Sequence, residues 1–215
     1  MKRNIVIATV AAIALAGGGT ATALAATGDD GSSDAAAKKS SVQLKDGDRD
    51  DAKENTVEVK AAKVTAADAI KAALASQSGT AVSAELDDED NGGLVWDIDL
   101  LGKGSTWHSV QVDPGTGKVL GSHTERDEDG DASRVGDALK GASITAEDAA
   151  KAAAAKGTVT SVDLDDDGTA GAWEAETSNA KGAESDWKVD LRSGKVSADR
   201  SDRGDDVSDD DSSDD

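Results

Sequence analysis

The chain has 215 residues, with 44 Asp or Glu against 23 Lys or Arg and a formal net charge of -21 at pH 7. Such a negative surface repels phosphate backbones and anionic lipid headgroups, so we expect no nucleic-acid partner. The sequence has no Cys and only two His, which excludes disulfides and thiolate metal sites and argues against zinc. Its only aromatic residues are four Trp, so the core must consist mainly of aliphatic side chains and Ala.

Residues 1–25 are typical of a secretory signal peptide. Lys2 and Arg3 precede an apolar run over 5–16, and Ala-Leu-Ala at 23–25 supplies the small residues that signal peptidase requires. We predict cleavage after residue 25 and a secreted, extracellular or cell-wall-associated protein, with membrane attachment only if the segment stays uncleaved. Mass spectrometry of the mature N-terminus tests this prediction.

Three segments have the composition of solvated chain without a core. Residues 26–60 are polar and mixed in charge, which predicts a disordered linker with at most a brief strand at 57–59. Residues 125–141 predict a second, charged linker. Residues 201–215 hold eight Asp and one Arg, and this self-repelling composition predicts an acidic disordered tail.

Two stretches, residues 61–124 and 142–200, follow one plan and predict two small domains. Each begins with an Ala-rich helix pattern. A Thr stands at the N-cap position of each helix, Thr65 or Thr145, with an Asp three residues later as in a capping box. Because the repeats share this signal, we expect each of them to start with a helix.

Four short strand patterns with alternating polarity follow each helix. The predicted inward-facing residues of the first repeat are Val82, Ala84, Leu86, Leu94, Trp96, Ile98, Leu100, His108, Val110 and Val112. Those of the second are Val162, Leu164, Trp173, Ala175, Trp187, Val189 and Leu191. We predict an α+β fold of two repeats, each one helix packed on a four-stranded antiparallel sheet. Ala150 stands where the first helix has Ile70, so we expect the second core to be thinner.

The two repeats also share an ordered set of short motifs. Thr-Ala-x-Asp-Ala opens each helix, Trp-Asp-Ile-Asp or Trp-Glu-Ala-Glu lies on the second strand, and Gly-Lys-Val follows the third strand. This order resembles the PepSY domain, over residues 63–123 and again over 143–199, and the layout is similar to that of tandem PepSY proteins secreted by actinobacteria.

The resemblance implies an extracytoplasmic module related to propeptide regions of thermolysin-like metallopeptidases, where it is thought to restrain or assist the peptidase. We therefore expect a secreted, non-enzymatic, monomeric protein that regulates or inhibits an extracellular peptidase or binds another envelope partner. The resemblance suggests a secreted metallopeptidase as that protein partner. The alternative is an acidic calcium-binding or sensory protein of the cell envelope.

Residues 163–174 match the calcium-loop pattern Asp-x-Asp-x-Asp-Gly-x5-Glu, in which carboxylates surround a hard cation. The candidate ligands are Asp163, Asp165, Asp167 and Glu174. The flanks predict strands rather than helices, and the core requires Leu164 and Trp173, so a solvated acidic turn is the competing interpretation. We expect no cofactor other than this calcium candidate.

Trp107 is the candidate partner-binding residue. If Val110 and Val112 face inward, Trp107 faces outward as an exposed aromatic of the kind enriched in binding hot spots. A bulge that turns Trp107 inward is equally compatible with the sequence.

No catalytic residue is predicted. His108 and His123 have no carboxylate or nucleophile at a useful sequence spacing. Asp97 and Asp99 alternate as the outer residues of any half-exposed strand do, so we do not interpret them as an acid and base pair. Phosphate-loop, hydrolase and dinucleotide motifs are also missing from the sequence.

Overall fold

The computed structural model describes residues 38–44, 51–89, 92–127, 130–165 and 171–199. Its helices are Asp51–Ala61 (α1), Ala66–Ser76 (α2), Asp131–Ala138 (α3) and Ala146–Ala153 (α4). The strands of the first half are Thr80–Asp88 (β1), Leu94–Leu101 (β2), Thr106–Val112 (β3) and Val119–Arg126 (β4). Those of the second half are Thr158–Leu164 (β5), Ala172–Ser178 (β6), Glu184–Asp190 (β7) and Val196–Ala198 (β8). The predicted signal peptide and acidic tail lie outside the described residues.

Each repeat is an α+β unit of one helix followed by four antiparallel strands, as the sequence predicts. Thr65 and Thr145 are the N-caps of α2 and α4, and each hydroxyl accepts the backbone N–H of the Asp three residues later at 3.2 Å. In α4 the Asp148 carboxylate also accepts the backbone N–H of Thr145, which completes a capping box. The local signals that predict the helix starts are therefore confirmed.

The strands of both repeats form one antiparallel sheet in the order β4-β3-β2-β1-β5-β6-β7-β8. At its centre β1 pairs with β5 through three residue pairs, which are Ser83 with Asp163, Ala84 with Val162 and Glu85 with Ser161. We call this pairing the β1–β5 junction. Residues 83–85 and 161–163 are equivalent in the repeats, so a pseudo-two-fold axis passes between Ala84 and Val162. The two predicted four-stranded sheets are thus halves of one sheet.

One hydrophobic core serves both repeats. Helices α2 and α4 pack against each other on one face of the sheet, and each also contacts the first strand of the other repeat. Their fully buried residues are small, apart from Ile70, and they are Ala66, Ala69, Ala73, Ala146, Ala149, Ala150 and Ala153. Because small side chains let two helices approach closely, the Ala-rich sequence of both helices suits this shared layer.

Trp96 and Trp173 occupy equivalent positions in the two repeats. Both indoles are buried, with 1% and 0% of their surface exposed. Trp96 Nε1 donates to the carbonyl oxygen of Val64, and Trp173 Nε1 donates to that of Ile144, each at 3.0 Å. Since these carbonyls directly precede the helix N-caps, each Trp joins the second strand of its repeat to the start of its helix.

The structure differs from the predicted linkers in two places. Helix α1 occupies residues 51–61, so the brief strand expected at 57–59 is wrong. Helix α3 lies within residues 125–141 and buries Ala132 and Val135. These short polar helices depend on contacts distant in sequence, which local periodicity does not reveal.

Residues 38–44 also contact the first repeat. Ser40 Oγ donates to the carbonyl oxygen of Leu94 at 2.6 Å. Asp113 accepts the Ser41 backbone N–H at 2.6 Å and the Ser41 hydroxyl at 2.7 Å, and backbone N–H groups of its own turn at 2.8 Å. Although burial opposes it, this set of donors lowers the pKa of Asp113. Within the described ranges, no helix is long and apolar enough to cross a membrane.

Candidate functional site

The sheet face opposite α2 and α4 carries a band of acidic side chains. On β1, Ala84 and Leu86 belong to the core, so alternation places Ser83, Glu85 and Asp87 on the opposite face. The same alternation and the strand register place acidic residues of β2, β5 and β6 beside them. We call this surface the acidic face, and its carboxyl groups are those of Glu85, Asp87, Asp97, Asp99, Asp163, Glu174 and Glu176.

Two rows of residues cross the β1–β5 junction on the acidic face. One row consists, from β2 to β6, of Asp99, Ser83, Asp163 and Glu174. The other consists of Asp97, Glu85, Ser161 and Glu176. Each row contains one pair of directly opposite carboxylates, and the pseudo-two-fold axis relates these two pairs. Like charges directly opposite each other destabilise a strand pair, so this arrangement opposes the sheet when all of the groups are ionised.

Asp97 is a half-buried carboxyl group on β2. Burial raises its pKa to about 7, and the charges of Asp99, Asp87 and Glu89 act in the same direction, against the opposing hydrogen bond with Gln111. Burial also raises the pKa of Asp99, against hydrogen bonds with Ser83 and Ser109. Asp97 can therefore hold a proton at a pH where an ordinary Asp is fully ionised.

Asp163 on β5 is a second half-buried carboxyl group of the acidic face, and its equivalent in the first repeat is Glu85. Burial raises the pKa of Asp163 to about 7, and the nearby charges of Glu85, Glu174 and Asp99 contribute, whereas a hydrogen bond with Ser161 opposes the shift. Two of these charges, Glu85 and Asp99, belong to the first repeat and reach Asp163 across the β1–β5 junction. The protonation of Asp163 is thus linked to the contact between the repeats.

Lys188 on β7 contacts the β6 end of one of these rows. Its Nζ lies 3.2 Å from Glu174, 3.4 Å from Asp165 and 3.6 Å from Asp199. Burial disfavours its charge, but these carboxylates raise the pKa of Lys188 above its usual value. The sequences of β1, β2, β3, β5 and β6 contain no Lys or Arg, so Lys188 neutralises only the β7 end of the acidic face.

The calcium candidates are distributed over a strand pair. Asp163 lies on β5 directly opposite Glu174 on β6, while Asp165 follows the end of β5 and shares Lys188 with Glu174. Asp167 lies outside the described residues. In the described part of the chain no three His, Asp or Glu residues are arranged to hold a metal ion. The calcium site remains a prediction. The Lys188 ammonium group lies near two of its candidate ligands, Asp165 and Glu174.

Trp107 lies on the sheet face that carries Ser109 and Asp99. It pairs with Leu101 on β2 and Glu125 on β4, and strand pairing is regular from residue 106 to 111. The register shift of this hairpin falls beyond Gln111, so no bulge turns the indole inward. The side chain is half-exposed, and Nε1 donates to Asp127 at 3.3 Å. Its role in partner binding remains a prediction.

The two His lie toward the β4 edge. His108 Nδ1 is 2.7 Å from the Thr124 hydroxyl, and His123 Nε2 is 4.0 Å from Glu125. His123 pairs with Ser109, which places it at the β4 end of the row that contains Asp99. Ser109 therefore lies between the His123 imidazole and Asp99, which is the nearest carboxyl group of that row.

Sequence reasoning did not identify Asp97 and Asp163 as groups with unusual proton affinity. Their alternation is that of ordinary outer strand residues, and only the pairing of β1 with β5 brings the two acidic strands together. The absence of Lys and Arg from five consecutive strands of the sheet was the signal that could have suggested carboxyl groups with raised pKa values.

Comparisons with known proteins identify one family. A family model described as "Peptidase propeptide and YPEB domain" (PepSY) matches residues 63–123 and 143–200, which together exceed half of the chain. A crystal structure from Clostridium difficile 630, described as that of a "putative lipoprotein", is similar, with a TM-score of 0.40 and 24% sequence identity. The alignment covers 63% of this chain and 91% of that one. No curated protein matches the chain.

Proposed function

The chain belongs to the PepSY family, and we propose that it is a secreted, non-catalytic module that binds and restrains an extracellular peptidase. The observation that carries this proposal is the double match to a domain described by its occurrence in peptidase propeptides. Proteins with this domain are typically extracellular or associated with the cell envelope. The signal-peptide pattern of residues 1–25 supports the same location.

The fusion of the repeats supports a binding role. Because both repeats share one sheet and one core, a partner meets a single broad surface rather than two independently moving domains. A preorganised surface loses less conformational freedom on binding than two linked domains would.

The charge of the protein indicates what kind of partner surface it fits. The net charge is -21. The exposed carboxylate Glu85 lies in the β1–β5 junction, and the exposed Glu174 lies beside it on β6. Complementary charge steers association and determines which partners are excluded. We therefore propose a peptidase with a basic surface patch, bound more tightly at low than at high ionic strength.

Affinity capture from culture supernatant tests the proposal. The mature protein is immobilised, captured proteins are identified by mass spectrometry, and each captured peptidase is assayed for casein hydrolysis with and without the added protein. We expect a secreted peptidase to be enriched and slowed. Capture without any peptidase, together with unchanged secreted proteolysis after gene deletion, would remove the proposal.

A double variant tests the proposed surface. Glu85→Gln with Glu174→Gln removes two exposed charges from the acidic face and should weaken capture. Asp88→Asn with Glu184→Gln is the matched control, since it removes two exposed charges at strand ends. If both double variants bind equally well, the acidic face is not the contact surface.

A further inference from the structure

We propose that the first repeat contains a groove that binds an extended peptide segment, and that residues 38–44 occupy this groove as an internal ligand. We call residues 38–44 the strap. The ligand class is an extended segment in which a pair of Ser residues is followed by aliphatic residues at alternate positions. This inference goes beyond the proposed function, and its test requires no peptidase.

The strap pairs with β2 as an added strand. Strand β3 ends at Val112, opposite Trp96 of β2, and the strap continues the pairing beyond this point toward the start of β2. The main-chain contacts are Gln43 opposite Gly93, the Leu44 N–H to the Gly92 carbonyl at 2.7 Å, and the Leu94 N–H to the Val42 carbonyl at 3.1 Å. Addition of a strand to a sheet is a general way to recognise extended peptides, because the main chain supplies the affinity.

The side chains of the strap alternate as those of a strand do. Ser40 is buried, and its hydroxyl donates to the Leu94 carbonyl at 2.6 Å. Val42 and Leu44 are half-buried and pack against the hydrophobic core, while the residues between them are exposed. The groove therefore selects a small polar residue followed by aliphatic residues at every second position.

Asp113, at the end of β3, anchors the strap. Its Oδ2 accepts the Ser41 backbone N–H at 2.6 Å, and its Oδ1 accepts the Ser41 hydroxyl at 2.7 Å. Asp113 is 3% exposed, so these bonds form away from water. Hydrogen bonds to an ionised carboxylate are about twice as strong as those between neutral groups. Since both donors belong to one residue, the carboxylate fixes the position and the direction of the bound segment.

The second repeat shows that this anchor takes an external donor. Asp190 is the equivalent of Asp113, and it is exposed. It accepts the backbone N–H of Ser193 at 2.8 Å and the hydroxyl of the same residue at 2.6 Å, both from its own turn. In the first repeat the equivalent Thr116 donates its backbone N–H to Asp113 at 2.8 Å, whereas Ser41 of the strap supplies the hydroxyl.

Gly115 leaves room for the strap. A Cβ at this position would lie 2.5 Å from the Ser41 hydroxyl oxygen and 3.1 Å from Cγ2 of Val42. Gly115 does not have a positive φ, so the turn itself does not require glycine here. The second repeat has Arg192 at the equivalent position. A bound segment would collide with that side chain, so the groove belongs to the first repeat.

The wall of the groove is held by contacts outside the strap. The Pro114 carbonyl accepts the backbone N–H of Lys63 at 2.8 Å and that of Val64 at 2.9 Å. The Val64 carbonyl in turn accepts Trp96 Nε1 at 3.0 Å. These contacts fix the turn after β3 to the start of α2 and to β2. Because the wall is preorganised, the same segment should also bind when it is supplied as a separate peptide.

Peptide binding in trans tests the groove. The double variant Ser41→Pro with Val42→Asp keeps the full mature chain, removes both Ser41 donors and places a charge against the core. A fluorescein-labelled peptide of residues 38–44 is the probe, and fluorescence anisotropy measures its binding. A segment tethered through a short linker has an effective concentration of about 1 mM, so occupancy in cis requires a Kd in trans below that value. We expect the double variant to bind the peptide, and a Kd of about 0.1 mM would make the wild type bind about 10-fold more weakly, because its own strap competes.

Two controls identify the site. A scrambled peptide of the same composition accounts for the attraction of Lys to an acidic protein, and it should not bind. Adding Gly115→Ala to the double variant should abolish binding, whereas Gly136→Ala, where a Cβ meets nothing within 4 Å, should leave it unchanged. The proposal is wrong if no binding occurs below about 1 mM, if the scrambled peptide binds equally, or if the two Ala variants behave alike.

Amide hydrogen exchange provides a second test should the double variant fold poorly. In an otherwise unchanged mature chain, Gly115→Ala should release the strap and lower the protection of the Ser41 and Leu44 amides by about 10-fold or more. Amides of the β6–β7 pairing should be unaffected, and Gly136→Ala should leave the strap protected. Equal protection of the strap in Gly115→Ala and Gly136→Ala overturns the proposal.

Discussion

The paired Trp residues offer a strong test of how each helix is joined to the sheet. Replacing Trp173 by Phe removes the donor that meets the Ile144 carbonyl at 3.0 Å, and replacing Trp96 by Phe does the same at Val64. Because both indoles are buried and make equivalent contacts, we expect both substitutions to destabilise the protein by similar amounts.

The expected loss has two parts. A partly buried carbonyl that loses its donor costs about 1–3 kcal/mol. The smaller Phe ring leaves unfilled volume beside the helix start, which adds about 1 kcal/mol or more. Each variant should therefore lose about 2–4 kcal/mol, a large fraction of the total stability of about 5–15 kcal/mol that is usual for domains.

Urea unfolding followed by far-UV circular dichroism measures these losses without relying on the altered fluorescence. Trp107→Phe is the matched control, since this indole is half-exposed and donates to Asp127 at 3.3 Å, and it should cost less than about 1 kcal/mol. The reasoning fails if Trp173→Phe or Trp96→Phe costs no more than this control.

Three further outcomes are expected. Ile70→Ala should cost about 2–5 kcal/mol in urea unfolding, since Ile70 is 0% exposed, while the exposed Lys71→Ala should be nearly neutral. In Trp107→Phe, acrylamide should quench the remaining Trp fluorescence less than in the wild type, because Trp96 and Trp173 are buried and Trp107 is half-exposed; equal quenching contradicts the placement of Trp107. If residues 163–174 form a calcium loop, calcium should change Trp fluorescence with saturation below about 1 mM and Asp163→Asn should abolish the response; a wild type that does not saturate rules out the loop.

The elements that could be predicted are those whose signals are local. The N-caps Thr65 and Thr145 each need only an Asp three residues away, and the alternation of β2 needs only its own residues. Helices α1 and α3 were missed because local propensity does not favour them. Helix α1 contains β-branched Val57 and Val59, and α3 contains Gly136, which lowers helix stability by about 1 kcal/mol relative to Ala.

The site could be predicted only in part. The sequence identified Asp163 and Glu174 as carboxylates within one pattern, and the structure places them directly opposite each other on neighbouring strands. It could not identify Lys188 as their neighbour, because that contact depends on the pairing of β6 with β7. Asp97 showed no distinguishing signal, because the burial that raises its pKa comes from packing.

By itself, the sequence determined that the protein is a tandem repeat, where its main helices begin, which residues of β2 face the core, and that its charge is strongly negative. Caps, alternation and composition act within a few residues of the chain, so these features are readable without coordinates. On β1 the register shift between Ala81 and Ser83 brings Ala81 into the core in place of the predicted Val82. Only the tertiary structure decided that the repeats share one sheet through Ala84 and Val162. That pairing joins residues 78 positions apart in sequence, and it alone sets the carboxyl groups of two repeats against each other.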